Sequence, residues 1–571
     1  MRGEVAPDAV DPAHGKQVVG ALDRERGARR VRDHGKHGPA VSGDGSRRAA
    51  HLGKKAGPPL SRGQVRGAPS RPAATLFPAN DSPRHLSVTH SLLDTLAARL
   101  GPAHVLTAET DLAPHLAETR GLYRGRALAV LRPRDTAEVT FAVRTCAEAR
   151  VPVVAHGGNT GLVGGGVPFG GVVISLARLD RVRAVDPLDA TITVEAGCVL
   201  ANVQAAAEAA GMLFPLSLAS EGSCRIGGNL ATNAGGTAVL AYGNARELTL
   251  GLEVVLADGQ VWNGLRALRK DNSGYDLKNL FVGSEGTLGI ITAAVLRLHP
   301  RPVSKATAFL GLSSARAALD AFGTLRGRLG PRLTAFEYVP RFPLEVVLRH
   351  LPGAVRPLAG DHHSYALVEL SSPAPDADEE LEAASSDLIE AGLAEDAVLA
   401  QSEAQAAALW RLRESLSEMQ GHEGGSIKHD VSVPVSRVAE FLERAGAACE
   451  AALPGVRVCA FGHFGDGNIH FNLTQPVGAE KAAFLAEWPR FNRIVHDIVH
   501  ALDGSIAAEH GVGLIKRDEL PRYKDPVALD LMRRLKGALD PHGILNPGKV
   551  LAADGAPEAF PAQKARSGTA A

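Results

Sequence analysis

The sequence lacks the features that mark several large classes of protein. Its five cysteines are scattered, and no two of them form a CxxC pair, which argues against a disulfide framework and favours a reducing compartment. No run of about 18 apolar residues occurs, so we expect no membrane span. The N-terminus has no apolar stretch of the secretory kind. From these absences we expect a cytoplasmic protein.

The chain also lacks an excess of charge of either sign. Lysine and arginine together number 62, and aspartate and glutamate together also number 62. A balanced charge of this kind gives no reason to expect binding to nucleic acid or to a membrane surface.

The two ends of the chain are poor in large apolar residues. Residues 1–85 are rich in glycine, arginine, histidine and proline, and such a segment cannot bury enough surface to offset its chain entropy. We expect a disordered basic tail there, or a mis-assigned start site; an arm that binds nucleic acid is the less favoured alternative. Residues 553–571 are expected to form a second disordered tail.

The chain has 571 residues, and 45% of them are hydrophobic. A chain of this length and composition predicts several domains between the two tails. Residues 127–133 read as a strand, Asp135 caps a helix that runs to about Arg150, and residues 151–155 read as a second buried strand. From residue 301 to residue 500, strands and helices alternate irregularly, which predicts a separate α+β domain. A helix over residues 402–418 places Arg413 and Ser417 on one face, because they are spaced i, i+4.

Three segments are rich in glycine and small polar residues. The first, residues 156–166, follows the second strand; its glycines allow backbone N–H groups to surround an anion such as a diphosphate. It matches neither the GxGxxG pattern nor the Walker pattern. The second and third segments, residues 220–236 and 271–292, add serine, threonine and asparagine to the glycines. Tight turns need glycine without any ligand, so the segments alone leave both interpretations open.

A histidine hairpin is the most distinctive stretch of the chain. Residues 461–472 read as two short strands joined by a Gly/Asp/Gly/Asn turn, which brings His463 near His470. With Glu509 these histidines make a three-ligand set for zinc or a similar divalent metal, and three protein ligands leave one coordination position open. His510, next to Glu509, is a candidate base. The alternative is two ordinary strand histidines and a solvent-facing acid.

The three segments, in this order, resemble the vanillyl-alcohol-oxidase/p-cresol-methylhydroxylase family of FAD flavoproteins, in the branch of FAD-linked 2-hydroxyacid dehydrogenases. The phrases that carry the resemblance are residues 157–161, 227–236 and 283–289. The resemblance implies an α+β fold with a two-subdomain FAD-binding domain of the PCMH type over residues 86–300. It also implies a cap domain over residues 301–500 and a C-terminal helical return over residues 501–552.

The same resemblance implies that FAD is bound, without a covalent bond, by the three segments and by the closing phrase, residues 540–549. His156 precedes the first loop and is expected to be polar lining only. The residues expected to contact FAD are Gly157, Gly158, Asn159, Thr160, Gly161, Leu162, Gly165, Ser223, Gly227, Gly228, Asn229, Thr232, Asn233, Gly235, Gly236, Gly289, Ile290, Ile291 and Asn546.

The resemblance further assigns roles around the histidine hairpin. It implies that a divalent metal, with zinc as the first choice, is held by His463, His470 and Glu509, and that His510 is the catalytic histidine. The residues expected to bind substrate are Arg413, Ser417, Lys428, Asn472 and His510. The tyrosine that usually follows the lysine in this branch is replaced here by His429.

The expected activity is oxidation of a D-2-hydroxy acid to the 2-oxo acid, with hydride transfer to flavin N5. D-2-hydroxyglutarate is the first choice of substrate, and D-lactate or glycolate is the alternative. A metallohydrolase and a non-catalytic flavin-binding subunit are the less favoured interpretations. The sequence leaves the electron acceptor open among an electron-transfer flavoprotein, a quinone and oxygen, of which oxygen is the least favoured. The resemblance suggests a homodimer.

Overall fold

The computed structural model describes the chain from residue 83 to residue 552, with side chains from residue 90 onwards. The predicted disordered tails lie outside this range, except that residues 83–85 belong to the first helix, α1 (Pro83–Leu100). None of the described helices is long and apolar enough to cross a membrane. All five cysteines are free and buried.

The first sheet has four strands, in the order β1-β2-β4-β3: β1 (Val105–Leu106), β2 (Ala129–Leu131), β3 (Val153–His156) and β4 (Val172–Ser175). The last three run parallel, and β1 pairs antiparallel with β2. The helices of this region are α2 (Glu109–Leu112) and α3 (Thr136–Glu148). Asp135 caps α3 as predicted, because its side chain accepts a hydrogen bond from the backbone N–H of Glu138 at 2.9 Å.

The second sheet has five antiparallel strands, in the order β5-β6-β10-β8-β9: β5 (Val182–Asp186), β6 (Thr191–Glu195), β8 (Thr249–Val255), β9 (Val261–Gly264) and β10 (Ile290–Arg297). A separate pair is β7 (Met212–Leu213) and β11 (His299–Pro300). The helices are α4 (Leu200–Ala209), α5 (Ile226–Ala231), α6 (Val239–Tyr242) and α7 (Lys278–Phe281). One apolar core includes Ile174 of the first sheet and Leu252 of the second.

The third sheet has seven antiparallel strands, in the order β15-β12-β14-β13-β17-β18-β16: β12 (Ser304–Leu312), β13 (Leu333–Pro340), β14 (Ser364–Ser372), β15 (Asp396–Leu399), β16 (Ser426–Ser432), β17 (Arg457–His463) and β18 (Asn468–Thr474). Phe309 and Leu310 are neighbours on β12 and belong to two different apolar cores. Because successive strand residues point to opposite faces, both faces of this sheet are covered.

The helices that cover the third sheet are α8 (Ala315–Leu329), α9 (Arg341–His350), α10 (Ala377–Glu390), α11 (Glu403–Glu414), α12 (Leu416–Met419), α13 (Val438–Ala452), α14 (Lys481–Ala486) and α15 (Trp488–Ala501). The single helix predicted over residues 402–418 is wrong, since the helix is divided into α11 and α12 at Ser415. Serine competes for backbone hydrogen bonds and favours such a break. Arg413 and Ser417 therefore belong to different helices.

The last part of the chain returns to the first sheet. After α16 (Leu520–Tyr523) and α17 (Pro526–Leu539), residues 540–549 run beside β3. The backbone N–H of Val153 donates to Ile544 O, and the N–H of Asn546 donates to Val153 O, both at 2.8 Å. The predicted C-terminal return is thus present, and it ends where the first glycine-rich loop begins.

Candidate active site

The hairpin of β17 and β18 brings His463 and His470 together, as the turn predicted. Their ring centroids lie 5.6 Å apart, with the rings edge to face. In the hairpin register, His470 faces Phe461 and His463 faces Asn468. The two imidazoles are therefore diagonal neighbours on one face of the sheet.

Four titratable side chains meet beside this hairpin: Asp430, His470, Glu509 and His510. Within the described part of the chain, their potential ligand atoms all lie within 4.8 Å of one another. Glu509 Oε1 lies 3.5 Å from His470 Nε2 and 3.4 Å from His510 Nε2. His463 lies just outside this group, against the ring of His470. Imidazole nitrogens and carboxylate oxygens are suitable ligands for zinc, so the donor chemistry fits the predicted metal.

The charge states of this cluster also suit a cation. Burial opposes ionisation of Glu509, but the hydrogen bond from His510 and the charge of His463 outweigh it, and the pKa of Glu509 falls well below its usual value. Burial lowers the pKa of His470 to about 3. A carboxylate and a neutral imidazole are the forms that bind a metal. His463 differs, because the charge and hydrogen bond of Glu337 outweigh the effect of burial and raise its pKa to about 9, so a metal there must displace its proton.

Asp430 is a central residue of the site that the sequence analysis missed. Its buried carboxylate accepts hydrogen bonds from the backbone N–H groups of Glu509, at 3.1 Å, and His510, at 2.9 Å. It also accepts one from Lys516 Nζ at 3.4 Å, and it lies 3.6 Å from His510 Nδ1. Asp430 thus holds the backbone of the candidate base by a hydrogen bond and lies beside its ring. Asp430 lies two residues after Lys428 on β16, and residues with this spacing share one face of a strand. This spacing is the sequence signal that could have identified Asp430.

Glu337 is a second residue that the sequence analysis missed. Its buried side chain lies 2.8 Å from His463 Nδ1 through one oxygen and 2.7 Å from Arg413 Nη2 through the other. Burial raises the pKa of Glu337, but the charges of His463 and Arg413 outweigh it and hold that pKa at about 2. No local pattern marks Glu337, because it lies on β13, opposite His463 in the sheet register.

The predicted substrate-binding residues all line one cavity of about 260 Å³, together with His463, His470, Glu509 and His510. Lys428 Nζ donates to Ser417 Oγ at 2.7 Å and to Ser417 O at 3.0 Å. Asn472 donates to Gln420 Oε1 at 3.1 Å. Arg413 reaches the cavity from the end of α11 while its guanidinium pairs with Glu337. The structure thus brings Arg413, Ser417, Lys428 and Asn472 together around one space.

Four cationic side chains line this cavity: Arg120, Arg413, Lys428 and Lys516. Burial, and then the charge of Arg120, lower the pKa of Lys428 to about 8. A concentration of positive charge in a partly enclosed space favours an anionic ligand. Arg120 and Lys516 were not among the residues expected from the sequence.

The three predicted flavin-binding segments converge on the C-terminal return. Asn546 donates from its side-chain amide to Gly165 O, at 2.9 Å, and to Glu285 O, at 2.8 Å. The buried carboxylate of Glu285 in turn accepts hydrogen bonds from the backbone N–H groups of Val512, at 2.7 Å, and Gly513, at 2.8 Å. Asn546 thus joins the first segment, the third segment and the closing phrase.

The second segment contacts one of the metal-ligand candidates, Glu509, directly. The backbone N–H of Gly236 donates to Glu509 Oε2 at 3.3 Å. Gly236 has φ +88°, and an added side chain there would lie 2.0 Å from Ser217 O. Only glycine fits this position. The loop geometry therefore links the predicted flavin site to the histidine cluster.

The glycine-rich segments leave room for a ligand next to the backbone. A side chain added at Gly158 would lie 2.2 Å from Ser223 O, so the first and second segments are in close contact there. An added side chain at Gly161 or Gly228 would meet no atom within 4 Å. The backbone is thus open to a bound group on this side, as FAD requires.

The other predicted flavin contacts occupy the same three segments. Asn159 and Asn233 adopt positive φ, at 53° and 52°, which suits tight loops. The remainder lie in the first loop (Gly157, Thr160, Leu162), in or next to α5 (Ser223, Gly227, Asn229, Thr232, Gly235), and at the start of β10 (Gly289, Ile290, Ile291). His156 is buried, with Nε2 at 2.6 Å from Gly166 O and Nδ1 at 3.2 Å from His115 Nδ1. Its ring is engaged within the protein.

Comparison with known proteins identifies the family. The family described as FAD binding domain matches residues 127–264, and the family described as FAD linked oxidases, C-terminal domain, matches residues 301–550. A D-2-hydroxyglutarate dehydrogenase from Bos taurus is 39% identical over 508 residues, which cover 86% of this chain and 90% of that protein. The chain belongs to the FAD-linked oxidase family. It is an FAD-dependent oxidoreductase, as its three glycine-rich segments predicted.

Further relatives agree with this assignment. A D-2-hydroxyglutarate dehydrogenase from Xanthomonas citri is 41% identical, covering 76% of this chain and 91% of that protein. A putative D-lactate dehydrogenase from Schizosaccharomyces pombe is 36% identical, covering 81% and 87%. The solved structure of p-cresol methylhydroxylase has a TM-score of 0.65 at 16% identity, covering 82% of this chain and 97% of that one. The predicted fold class is therefore confirmed.

The predicted cytoplasmic location is wrong. The relatives from Bos taurus, Danio rerio and Arabidopsis thaliana are all named as mitochondrial proteins. The prediction rested on unpaired cysteines, which indicate a reducing environment and do not distinguish one such compartment from another. It also rested on a test for secretory signals, which have a composition different from that of mitochondrial targeting segments.

Proposed function

We propose that the protein oxidises D-2-hydroxyglutarate, a D-2-hydroxy acid with a second carboxylate, to the 2-oxo acid. The main support is the cavity in which His510, four cationic side chains and the flavin-binding segment at Gly236 meet. The relatives named D-2-hydroxyglutarate dehydrogenase favour the same substrate. FAD, when bound, supplies the acceptor for the hydride from C2.

His510 is the proposed base that removes the proton of the substrate hydroxyl. It lines the cavity, and a histidine side chain can accept a proton near neutral pH. Its backbone N–H donates to Asp430, whose Oδ2 also lies 3.6 Å from His510 Nδ1. His510 Nε2 lies on the opposite side of the ring, 3.4 Å from Glu509 Oε1. Asp430 acts as a positioning residue for the base.

A divalent metal, with zinc as the first choice, would be held by His463, His470 and Glu509. There it would lower the pKa of the substrate hydroxyl and orient the substrate. Glu337 supports this assignment, because a carboxylate on the remote nitrogen of a ligating histidine is the usual arrangement around zinc. Glu337 contacts Nδ1 of His463, so Nε2 of the same ring remains available for the cation.

The proposed clamp for the second carboxylate consists of Arg413, Ser417 and Lys428, with Asn472 nearby. Arg413 pairs with Glu337, whereas Lys428 hydrogen-bonds only to Ser417 among the described residues. A buried cation without a counter-charge is costly, so Lys428 favours a dicarboxylate over D-lactate. FAD is proposed to be non-covalent, because both ring nitrogens of His156 are already in contact with protein atoms. An electron-transfer flavoprotein or a quinone is proposed to reoxidise the flavin, and the protein is proposed to form a homodimer. Both of these proposals rest on the family resemblance alone.

Steady-state kinetics with an artificial electron acceptor test this proposal. We expect kcat/KM for D-2-hydroxyglutarate to exceed that for D-lactate by about tenfold or more. D-malate, which has a shorter chain, should fall between them. The second candidate function is D-lactate oxidation, which the relative from Schizosaccharomyces pombe favours. A higher kcat/KM for D-lactate would select that function.

A further inference from the structure

Arg120 stands at the tip of a short closed loop over residues 116–125. The backbone N–H of Gly125 donates to Leu116 O at 2.7 Å, which closes the loop. Ala117 and Arg124 form an antiparallel bridge between its two sides. The Arg120 side chain, at the tip, lines the active-site cavity.

The loop is held from the inside by a buried carboxylate. Glu118 accepts hydrogen bonds from the backbone N–H of Arg120 at 2.5 Å, from that of Leu122, and from that of Tyr123 at 3.3 Å. A carboxylate that satisfies three backbone donors fixes the path of the chain around it. The position of Arg120 at the cavity is therefore built into the loop.

The loop is also attached to the first flavin-binding segment. Asn159 donates from its side-chain amide to Ala117 O at 3.0 Å and to Pro114 O at 3.3 Å. Asn159 is one of the residues expected to contact FAD. The loop that carries Arg120 is thus part of the same structure that is expected to hold the cofactor.

The other cations of the cavity differ from Arg120 in their partners. Arg413 pairs with the buried carboxylate of Glu337, with Nη2 and Oε2 2.7 Å apart. Lys516 pairs with Asp430, with Nζ and Oδ2 3.4 Å apart. Both of these charges are balanced within the protein.

Arg120 and Lys428 make no ion pair of this kind with a carboxylate among residues 90–552. Burial lowers the pKa of Arg120, and the charges of Glu118 and Asp430 only partly offset this effect. Lys428 Nζ hydrogen-bonds only to the hydroxyl and carbonyl of Ser417 in that range. The charge of Arg120 is one of the two main causes of the lowered pKa of Lys428. Arg120 and Lys428 line the same cavity, so their charges repel each other. An anion bound between two such cations stabilises both of them.

We propose that Arg120 binds, together with Lys428, the substrate carboxylate that lies remote from the reacting carbon, and so determines the preference for a dicarboxylic 2-hydroxy acid. The proposal rests on the function proposed above and adds to it a residue from the flavin-binding domain. A guanidinium binds a carboxylate through two parallel hydrogen bonds, whereas the ammonium of Lys428 supplies a point charge. Substrate selection would then use both domains.

Binding of glutarate to the FAD-loaded protein tests this proposal without any reaction, because glutarate has two carboxylates and no hydroxyl. Calorimetry should show that Arg120→Met weakens glutarate binding by about tenfold or more. Arg124→Met is the matched control, since Arg124 is exposed on the same loop, and it should bind as the wild type does. Equal affinity in Arg120→Met and the wild type would overturn the proposal, and so would wild-type protein that binds no glutarate.

Arg120→Lys distinguishes the loss of a substrate contact from a folding defect, because it keeps the positive charge and loses only the planar guanidinium. We expect its affinity for glutarate to lie between those of the wild type and Arg120→Met. In turnover, Arg120→Met should lower kcat/KM for D-2-hydroxyglutarate by about tenfold and change that for D-lactate by less than about twofold. An equal loss on both substrates would indicate a merely structural role. If no 2-hydroxy acid reduces the wild-type flavin, the proposed function fails, and the glutarate result still decides the role of Arg120.

Discussion

Nδ1 of His463 lies 2.8 Å from Oε1 of Glu337, a residue 126 positions earlier in the chain and on the neighbouring strand. This contact fixes the orientation of the imidazole and turns its Nε2 away from Glu337. The second oxygen of the same carboxylate pairs with Arg413. One buried carboxylate therefore orients a proposed metal ligand and a proposed substrate-binding residue at the same time.

Replacing Glu337 by glutamine removes the charge that balances Arg413 and leaves the shape nearly unchanged. We expect Glu337→Gln to lower the free energy of unfolding by about 3 kcal/mol, because it leaves a buried guanidinium without its counter-ion. Chemical denaturation of the FAD-loaded protein measures this change. Glu443→Gln, at an exposed position on α13, is the control and should change stability by less than about 0.5 kcal/mol. Equal effects of the two substitutions would contradict the account.

Replacing His510 by alanine tests the proposed base. The flavin should remain bound, since the residues expected to hold it lie elsewhere, whereas turnover should fall by about a hundredfold or more because no group then removes the hydroxyl proton. Flavin absorbance reports binding, and kcat with D-2-hydroxyglutarate reports the chemistry. His90→Ala, at an exposed position on α1, serves as the control. Near-normal turnover in His510→Ala would remove this residue from the role.

Removal of a bound metal tests the role of the histidine cluster. Treatment with a chelator should abolish oxidation of D-2-hydroxyglutarate while leaving the flavin spectrum unchanged, and added zinc should restore activity. His470→Ala should lower the bound metal content measured by elemental analysis, since it removes one of three proposed ligands. Full activity in protein shown to be free of metal would contradict the assignment.

The pH dependence of substrate binding tests the carboxylate clamp. The pKa of Lys428 is lowered to about 8, so its ammonium is charged below that pH and is progressively neutralised as the pH rises through it. We therefore expect KM for D-2-hydroxyglutarate to increase above about pH 8, with a smaller change for D-lactate, which has no second carboxylate. In Lys428→Met, KM should be high at all pH values and this dependence should disappear. A wild-type KM that is flat from pH 7 to about pH 9 would contradict a charged role for Lys428.

The features that the sequence predicted correctly depend on contiguous residues. The hairpin that joins His463 to His470 is set by a turn of four residues, and the cap of α3 is set by Asp135 alone. The glycine-rich segments are likewise recognisable as unbroken phrases. Local chemistry is sufficient for such elements, so they can be predicted without any knowledge of the tertiary fold.

The residues that the sequence analysis missed are brought to the site by tertiary structure. Glu337 reaches His463 only because β13 and β17 are neighbours in the third sheet, and Arg120 reaches the cavity from a loop that precedes every glycine-rich segment. Neither residue lies in a pattern that distinguishes it from a surface charge. The break between α11 and α12 was missed because helical periodicity continues across Ser415. Contacts between residues this far apart in sequence require the three-dimensional structure.

The central claim is that the cavity beside His510 presents a D-2-hydroxy acid to bound FAD. Anaerobic mixing of the purified protein with D-2-hydroxyglutarate, followed by the visible absorbance of the flavin, tests it most directly. The account predicts complete loss of the oxidised flavin spectrum with this substrate, slower loss with D-lactate, and none with the L enantiomer. An oxidised spectrum that persists with every D-2-hydroxy acid, in protein that contains FAD and metal, would contradict it.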